Sequence, residues 1–186
     1  MEDGLPHNNT HETLQDRQGF MWFTSSGGLV RYDGRELKIF RHNPDDSLSI
    51  SNDFTGAIYE DQQGYIWIGT TGGGLNRYSP SLESFTAFRH DPTNNNSLPS
   101  NNIQCILEDD IGHLWVGTEQ GLTRITLSGD PGRQPIFYEH IPTGPNGLSN
   151  SFIKTLLQDK DRYIWVGTNS GLNRLPPPVK GEESPQ

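Results

Sequence analysis

The sequence predicts an all-β chain of β-propeller blades, four copies of one unit built from four short antiparallel strands. Three observations carry this expectation. Tryptophan recurs at Trp22, Trp67, Trp115 and Trp165, with spacings of 45, 48 and 50 residues. The same phrase surrounds each one: DRQGFMWFTSSGGLVRY from Asp16, DQQGYIWIGTTGGGLNRY from Asp61, DDIGHLWVGTEQGLTRI from Asp109 and DKDRYIWVGTNSGLNRL from Asp159. No segment of useful length shows the 3.6-residue period of an amphipathic helix.

Each part of the phrase has a backbone meaning. Asp followed three residues later by Gly suits a type I turn with Asp first and Gly fourth. Asp16/Gly19, Asp61/Gly64 and Asp109/Gly112 obey this, whereas Asp159 is followed by Arg162. A short β-rich strand such as Ile66-Trp67-Ile68 comes next, then a Gly-rich turn (Gly72-Gly73-Gly74, or Gln120-Gly121), then a third strand such as Leu75 to Tyr78. The second copy carries one extra glycine in that turn.

An apolar strand precedes each Asp, weakest in the first copy, where only Thr13-Leu14 is recognisable. A fourth strand follows, at 37–40, 85–88 and 136–138, and each ends in His-x-Pro: His42/Pro44, His90/Pro92 and His140/Pro142. Continuous apolar runs such as Tyr65 to Ile68 fit strands covered on both faces, as stacked blades require. A double Greek-key sandwich would not need four near-identical phrases. The expected units are residues 5–45, 46–95, 96–145 and 146–175, the last incomplete, followed by a disordered Pro-rich tail at 176–186. The outer faces of the first and last blades then lack a partner, so further blades or a second copy of the chain are expected to cover them.

Composition narrows the function. The formal net charge of −9 repels phosphate backbones, so nucleic acid is not expected as a partner. No run approaches the ~20 apolar residues of a membrane-spanning helix, and the first residues do not read as a signal peptide. The single cysteine, Cys105, lies in an apolar run and reads as a small buried hydrophobe. No nucleophile–base pair, paired carboxylate or phosphate loop can be argued from spacing, so no catalytic residue is expected. Neither a cofactor nor a metal is expected, because the three His-x-Pro histidines fall one per blade.

Each candidate binding residue also has a simpler structural role. The tryptophans could stack on a sugar, but one per blade among apolar neighbours points to core. The repeated Arg31, Arg77, Arg124 and Arg174 could line a channel for an anion; capping carbonyls or pairing with Asp in the same blade is the simpler expectation. His7 and His11 lie close enough in sequence to share a site, with a solvated loop as the default. Glu108-Asp109-Asp110 reads as a turn. Specificity should come from loop residues outside the repeat, at 43–51, 93–100 and 128–133. Which of them faces a ligand is not set by the sequence.

The phrase D-x-x-G-x-[IL]-W-[IV]-G-T-x-x-G-[GL]-N-R-Y resembles the two-component regulator propeller repeat. The resemblance covers residues from about Leu5 to Leu175. It implies a ligand-sensing propeller, usually seven-bladed, in the periplasmic part of bacterial hybrid histidine kinases or diguanylate cyclases, with glycan fragments as possible ligands. The kinase or cyclase would lie outside this chain. A propeller enzyme of the streptogramin-lyase type and a protein-interaction scaffold are the alternatives.

Overall fold

A computed structural model describes residues 4–127, 137–144 and 147–178, with residues 137–140 described as backbone. The described residues form fifteen β-strands. The first sheet is β1 (Thr10–Gln15), β2 (Met21–Ser25), β3 (Gly28–Tyr32) and β4 (Leu37–Phe40). The second is β5 (Thr55–Glu60), β6 (Ile66–Thr70), β7 (Leu75–Ser79) and β8 (Ser84–Phe88). The third is β9 (Ile103–Glu108), β10 (His113–Thr118), β11 (Gly121–Thr126) and β12 (Phe137–Ile141), and the fourth is β13 (Ile153–Gln158), β14 (Ile164–Thr168) and β15 (Gly171–Leu175). In each sheet the strands follow chain order, so every sheet is a meander. Strand β1 runs well beyond the two residues legible in the sequence.

The chain divides into two compact units, residues 1–89 with 101–103, and residues 90–100 with 104–186. In the first unit the core gathers Trp22, Leu29, Ile50, Ile58, Ile66, Ile68, Tyr78 and Phe85. Trp22 meets Tyr78 edge-on at 5.2 Å between ring centroids, and Tyr78 lies 5.0 Å from Phe85. In the second unit Trp115, Leu122, Leu148, Ile153, Ile164 and Val166 form the corresponding core. All five residues of β6 are buried, as its unbroken apolar character requires.

The four tryptophans occupy one position in their sheets, the second residue of β2, β6 and β14 and the third of β10. Trp22, Trp67 and Trp115 are buried, and Trp165 is half-buried. Each indole Nε1–H donates to the Asp that opens its turn: Trp22 to Asp16 at 2.7 Å, Trp67 to Asp61 at 2.8 Å, Trp115 to Asp109 at 2.9 Å and Trp165 to Asp159 at 2.7 Å. The other carboxylate oxygen accepts two backbone N–H groups, those of Gln63 and Tyr65 in the case of Asp61. The turn and the strand after it are thus tied together by one side chain. In the fourth copy the Trp165 indole holds the Asp159 carboxyl below the usual carboxylate range.

The fourth residue of the turn is left-handed in every copy, with φ of 93°, 85° and 91° at Gly19, Gly64 and Gly112. Arg162 adopts φ 70° at the same position. Its side chain gives something back, through an ion pair to Asp110 at 2.6 Å and a hydrogen bond to the Pro178 carbonyl. A side chain in this region costs about 1 kcal/mol, and an exposed ion pair recovers about 0–1 kcal/mol. We therefore expect Gly64→Ala to cost about 1 kcal/mol in urea unfolding, since a Cβ there meets nothing within 4 Å and only the backbone pays. Arg162→Gly should change stability by less than about 1 kcal/mol, because the two effects oppose.

Candidate ligand-binding surface

Most repeated polar side chains are already engaged by the scaffold. Antiparallel pairing sets Arg31 opposite Trp22, Arg77 opposite Trp67, Arg124 opposite Trp115 and Arg174 opposite Trp165. Each guanidinium lies 5.8 Å from its Trp ring centroid, and three also cover the aromatic residue two positions before the Trp: Phe20 at 4.7 Å, Tyr65 at 4.9 Å and Tyr163 at 4.4 Å. The arginines therefore stack on the aromatic row by cation–π attraction. In the fourth copy Arg174 also acts on the turn Asp of its own blade, helping the Trp165 indole to hold the Asp159 carboxyl low. Arg31 reaches instead to the Tyr78 hydroxyl at 3.2 Å and to Glu83 at 3.3 Å.

The His-x-Pro histidines anchor loops. His42 Nδ1 lies 2.8 Å from the Ile50 carbonyl, and His90 Nδ1 lies 2.6 Å from that of Leu98. Seven residues after each His stands a serine that closes the loop. Ser49 Oγ accepts from the Asn43 N–H at 3.0 Å, and Ser97 Oγ accepts from that of Asp91 at 2.9 Å. Loops 43–51 and 93–100, expected to vary, thus share one internally bonded conformation. Loop 128–133 and the His140 side chain lie outside the described residues.

The other singled-out residues separate. His7 Nδ1 accepts from the Asn9 N–H, while His11 meets Ser26 Oγ at 3.1 Å and stacks near Phe54, so each has its own partner. Cys105 is half-buried against the core of its unit. Asp109 is a turn hub, and Asp110 pairs with Gln158 and Arg162.

One groove is lined by groups that this scaffold leaves over. It lies in the first unit, has a volume of about 690 Å³, and runs between loop 42–51 and the outer strand β8. The loop crosses the strand edge where the Phe85 N–H donates to the Leu48 carbonyl at 2.9 Å. Beyond that bond, exposed Ala87 and Leu48 provide apolar surface. Ser47, Thr86 and Arg89 bring two hydroxyls and a guanidinium that make no hydrogen bond or ion pair among the described residues. An apolar floor with a few convergent polar groups, in this size range, is the usual form of a small-molecule site. Sequence reasoning named one wall, loop 43–51, but not the strand opposite it, because the two are more than thirty residues apart in the chain.

The two component regulator propeller family matches residues 49–72, 97–120 and 147–170. A histidine kinase P4 from Formosa agariphila is 43% identical over 49 residues, 26% of this chain and 4% of that protein. The extracellular domain of what is named a hybrid two component system from B. thetaiotaomicron superposes with a TM-score of 0.80 at 26% identity, over 94% of this chain and 24% of that one. Virginiamycin B lyase from Staphylococcus aureus shares the fold, with a TM-score of 0.61 at 18% identity over 95% of this chain and 59% of the lyase. The chain spans about a quarter of that extracellular domain and a far smaller share of the kinase. Three of the four copies of the blade phrase match the two component regulator propeller model, and over those residues the chain is similar to that family.

Proposed function

We propose that the chain is the ligand-sensing propeller segment of a bacterial two-component regulator, exposed to the periplasm, and that it binds glycan fragments without turning them over. The observation that carries this is the groove beside β8, where Ser47, Thr86 and Arg89 remain uncommitted among the described residues, next to the apolar surface of Leu48 and Ala87. Sugars present hydroxyls and apolar C–H faces together, which suits that lining. The likeness to extracellular domains of two component systems supports both the sensing role and the location.

The test is a thermal-shift and calorimetry screen of neutral and acidic oligosaccharides against the wild-type chain and Arg89→Ala. Binding raises stability by RT ln(1 + [L]/Kd), about 2.7 kcal/mol at a hundredfold excess over Kd. We expect Arg89→Ala to weaken the best ligand at least tenfold, the equivalent of about 1.4 kcal/mol. A saccharide that binds both proteins equally would move the site away from the groove. Product appearing during the titration would favour a propeller lyase.

A further inference from the structure

In the first unit the turns that open β2 and β6 are pinned to one another. The Arg17 N–H donates to Glu60 Oε2 at 3.0 Å, and Arg17 Nη1 donates to the Gln62 carbonyl at 3.1 Å. The residue after each pinned position is a glutamine, Gln18 after Arg17 and Gln63 after Gln62. Both backbone N–H groups are spent on the turn Asp, Gln18 on Asp16 at 3.0 Å and Gln63 on Asp61 at 2.9 Å. Both carboxamides are exposed and make no hydrogen bond among the described residues. The second unit keeps the pin, with the Asp110 N–H donating to Gln158 Oε1 at 2.9 Å, but carries Ile111 and Asp161 at the two glutamine positions. The pin is therefore scaffold, and the paired amides are particular to the first unit.

Gln18 and Gln63 line a pocket of about 330 Å³ with Gly64, Tyr65, Pro80 and Ser81. Tyr65 is half-buried, its ring lies under the Arg77 guanidinium at 4.9 Å, and its hydroxyl makes no hydrogen bond among the described residues. Ser81 Oγ lies 3.1 Å from Ser79 Oγ. None of the described residues lining the pocket is charged. Two carboxamides, a phenol and a serine hydroxyl offer donors and acceptors together. Adjacent hydroxyls of a neutral sugar each donate and accept, so they match this lining, whereas a carboxylate or phosphate would meet no cation in it. The volume lies at the small end of the range for ligand sites, which suits one sugar unit rather than a chain.

We infer that this pocket is a second saccharide subsite, for an uncharged sugar unit, separate from the groove beside β8. It rests on the reading of the chain as a saccharide sensor but shares no residue with the groove. Strand β5 begins after loop 42–51 and ends at the turn that carries Gln63, so roughly 20 Å of strand lies between the two. The two sites can therefore be filled together and disabled one at a time.

The probes are the methyl glycosides of glucose, galactose, mannose and xylose, with glycerol as the control, titrated into the millimolar range against isotope-labelled protein and followed by NMR. The side-chain amide signals of Gln18 and Gln63 and the backbone signal of Gly64 should shift saturably with at least one glycoside and not with glycerol. Gln63→Ala should weaken that binding about fivefold, as loss of one neutral hydrogen bond does, and Gln18→Ala combined with Gln63→Ala should abolish it. Arg89→Ala should leave it unchanged. Both glutamines are exposed, so the rest of each variant's spectrum should match the wild type. Signals that no glycoside moves, or that glycerol moves equally, overturn the inference. So does a Gly64 shift that persists undiminished in the double variant. Loss of the shifts in Arg89→Ala would assign the sugar to the groove, overturning this subsite while upholding the sensor reading. Shifts at Gly64 in a protein whose groove binds no saccharide would uphold this subsite and strike the groove.

Discussion

Trp67→Ala is expected to remove most of the stability of the first unit. The indole is 0% exposed, sits 5.6 Å from the Phe88 ring and lies under the Arg77 guanidinium. Truncating a buried Trp to Ala costs about 3–5 kcal/mol through lost transfer energy and the cavity left behind. Here a second cost adds to the first. Asp61 is itself 1% exposed, and its Oδ2 accepts the indole N–H at 2.8 Å, so the truncation leaves a buried carboxylate oxygen without that donor. An orphaned buried acceptor costs about 1–3 kcal/mol. Whole domains are stable by about 5–15 kcal/mol, so the sum approaches the total. Trp67→Phe separates the two contributions: it keeps a ring against Phe88 and Arg77 but loses the donor, and should cost roughly half as much. Urea midpoints of the three proteins check this. Equal losses for Phe and Ala would mean that the hydrogen bond dominates.

The sequence displayed the blade because its chemistry is local. Asp, Gly and Trp lie within seven residues of one another, and one carboxylate collects the turn N–H groups and the indole. The arginine stacking went unread although the signal was available. Counting outward from the Gly-rich turn sets Arg opposite Trp in the ladder, and a guanidinium directly across from an indole stacks on it. The loop motif was half visible: His and a serine seven residues later recur at His42/Ser49 and His90/Ser97, but Gly147 stands at that position after His140. With two instances, the repetition read as variable loop rather than as scaffold. Of the groove, only the loop at 43–51 could be picked out. Its walls come from loop 42–51 and from β8, and only the pairing of Phe85 with the Leu48 carbonyl brings them together.

Gly74→Ala should be the most damaging single-methyl change in the first unit, and Gly72→Ala only a mild one. Both glycines have left-handed φ, 87° at Gly72 and 83° at Gly74, so each substitution carries the same conformational cost of about 1 kcal/mol. Their surroundings differ. A Cβ at Gly72 would meet only Asn52 Nδ2, at 3.9 Å. A Cβ at Gly74 would lie 2.3 Å from the Phe88 carbonyl oxygen, and that atom is backbone of the neighbouring strand and cannot rotate away. Relief requires β7 and β8 to separate at Leu75 and Phe88, where both side chains are buried. The shift would also pull on the Gly74 N–H, which donates to the Asn101 carbonyl at 3.0 Å, and on the Thr70 hydroxyl, which donates to the Gly74 carbonyl at 2.8 Å. Overpacking of this kind costs about 1–3 kcal/mol beyond the conformational cost. We expect Gly74→Ala to lose about 2–4 kcal/mol and Gly72→Ala about 1 kcal/mol in urea unfolding. A Gly74→Ala protein as stable as Gly72→Ala would mean that the β7–β8 hairpin yields at its open end, beside the β6–β7 turn. The extra glycine of the second copy would then be slack in the loop rather than a place where two backbones touch.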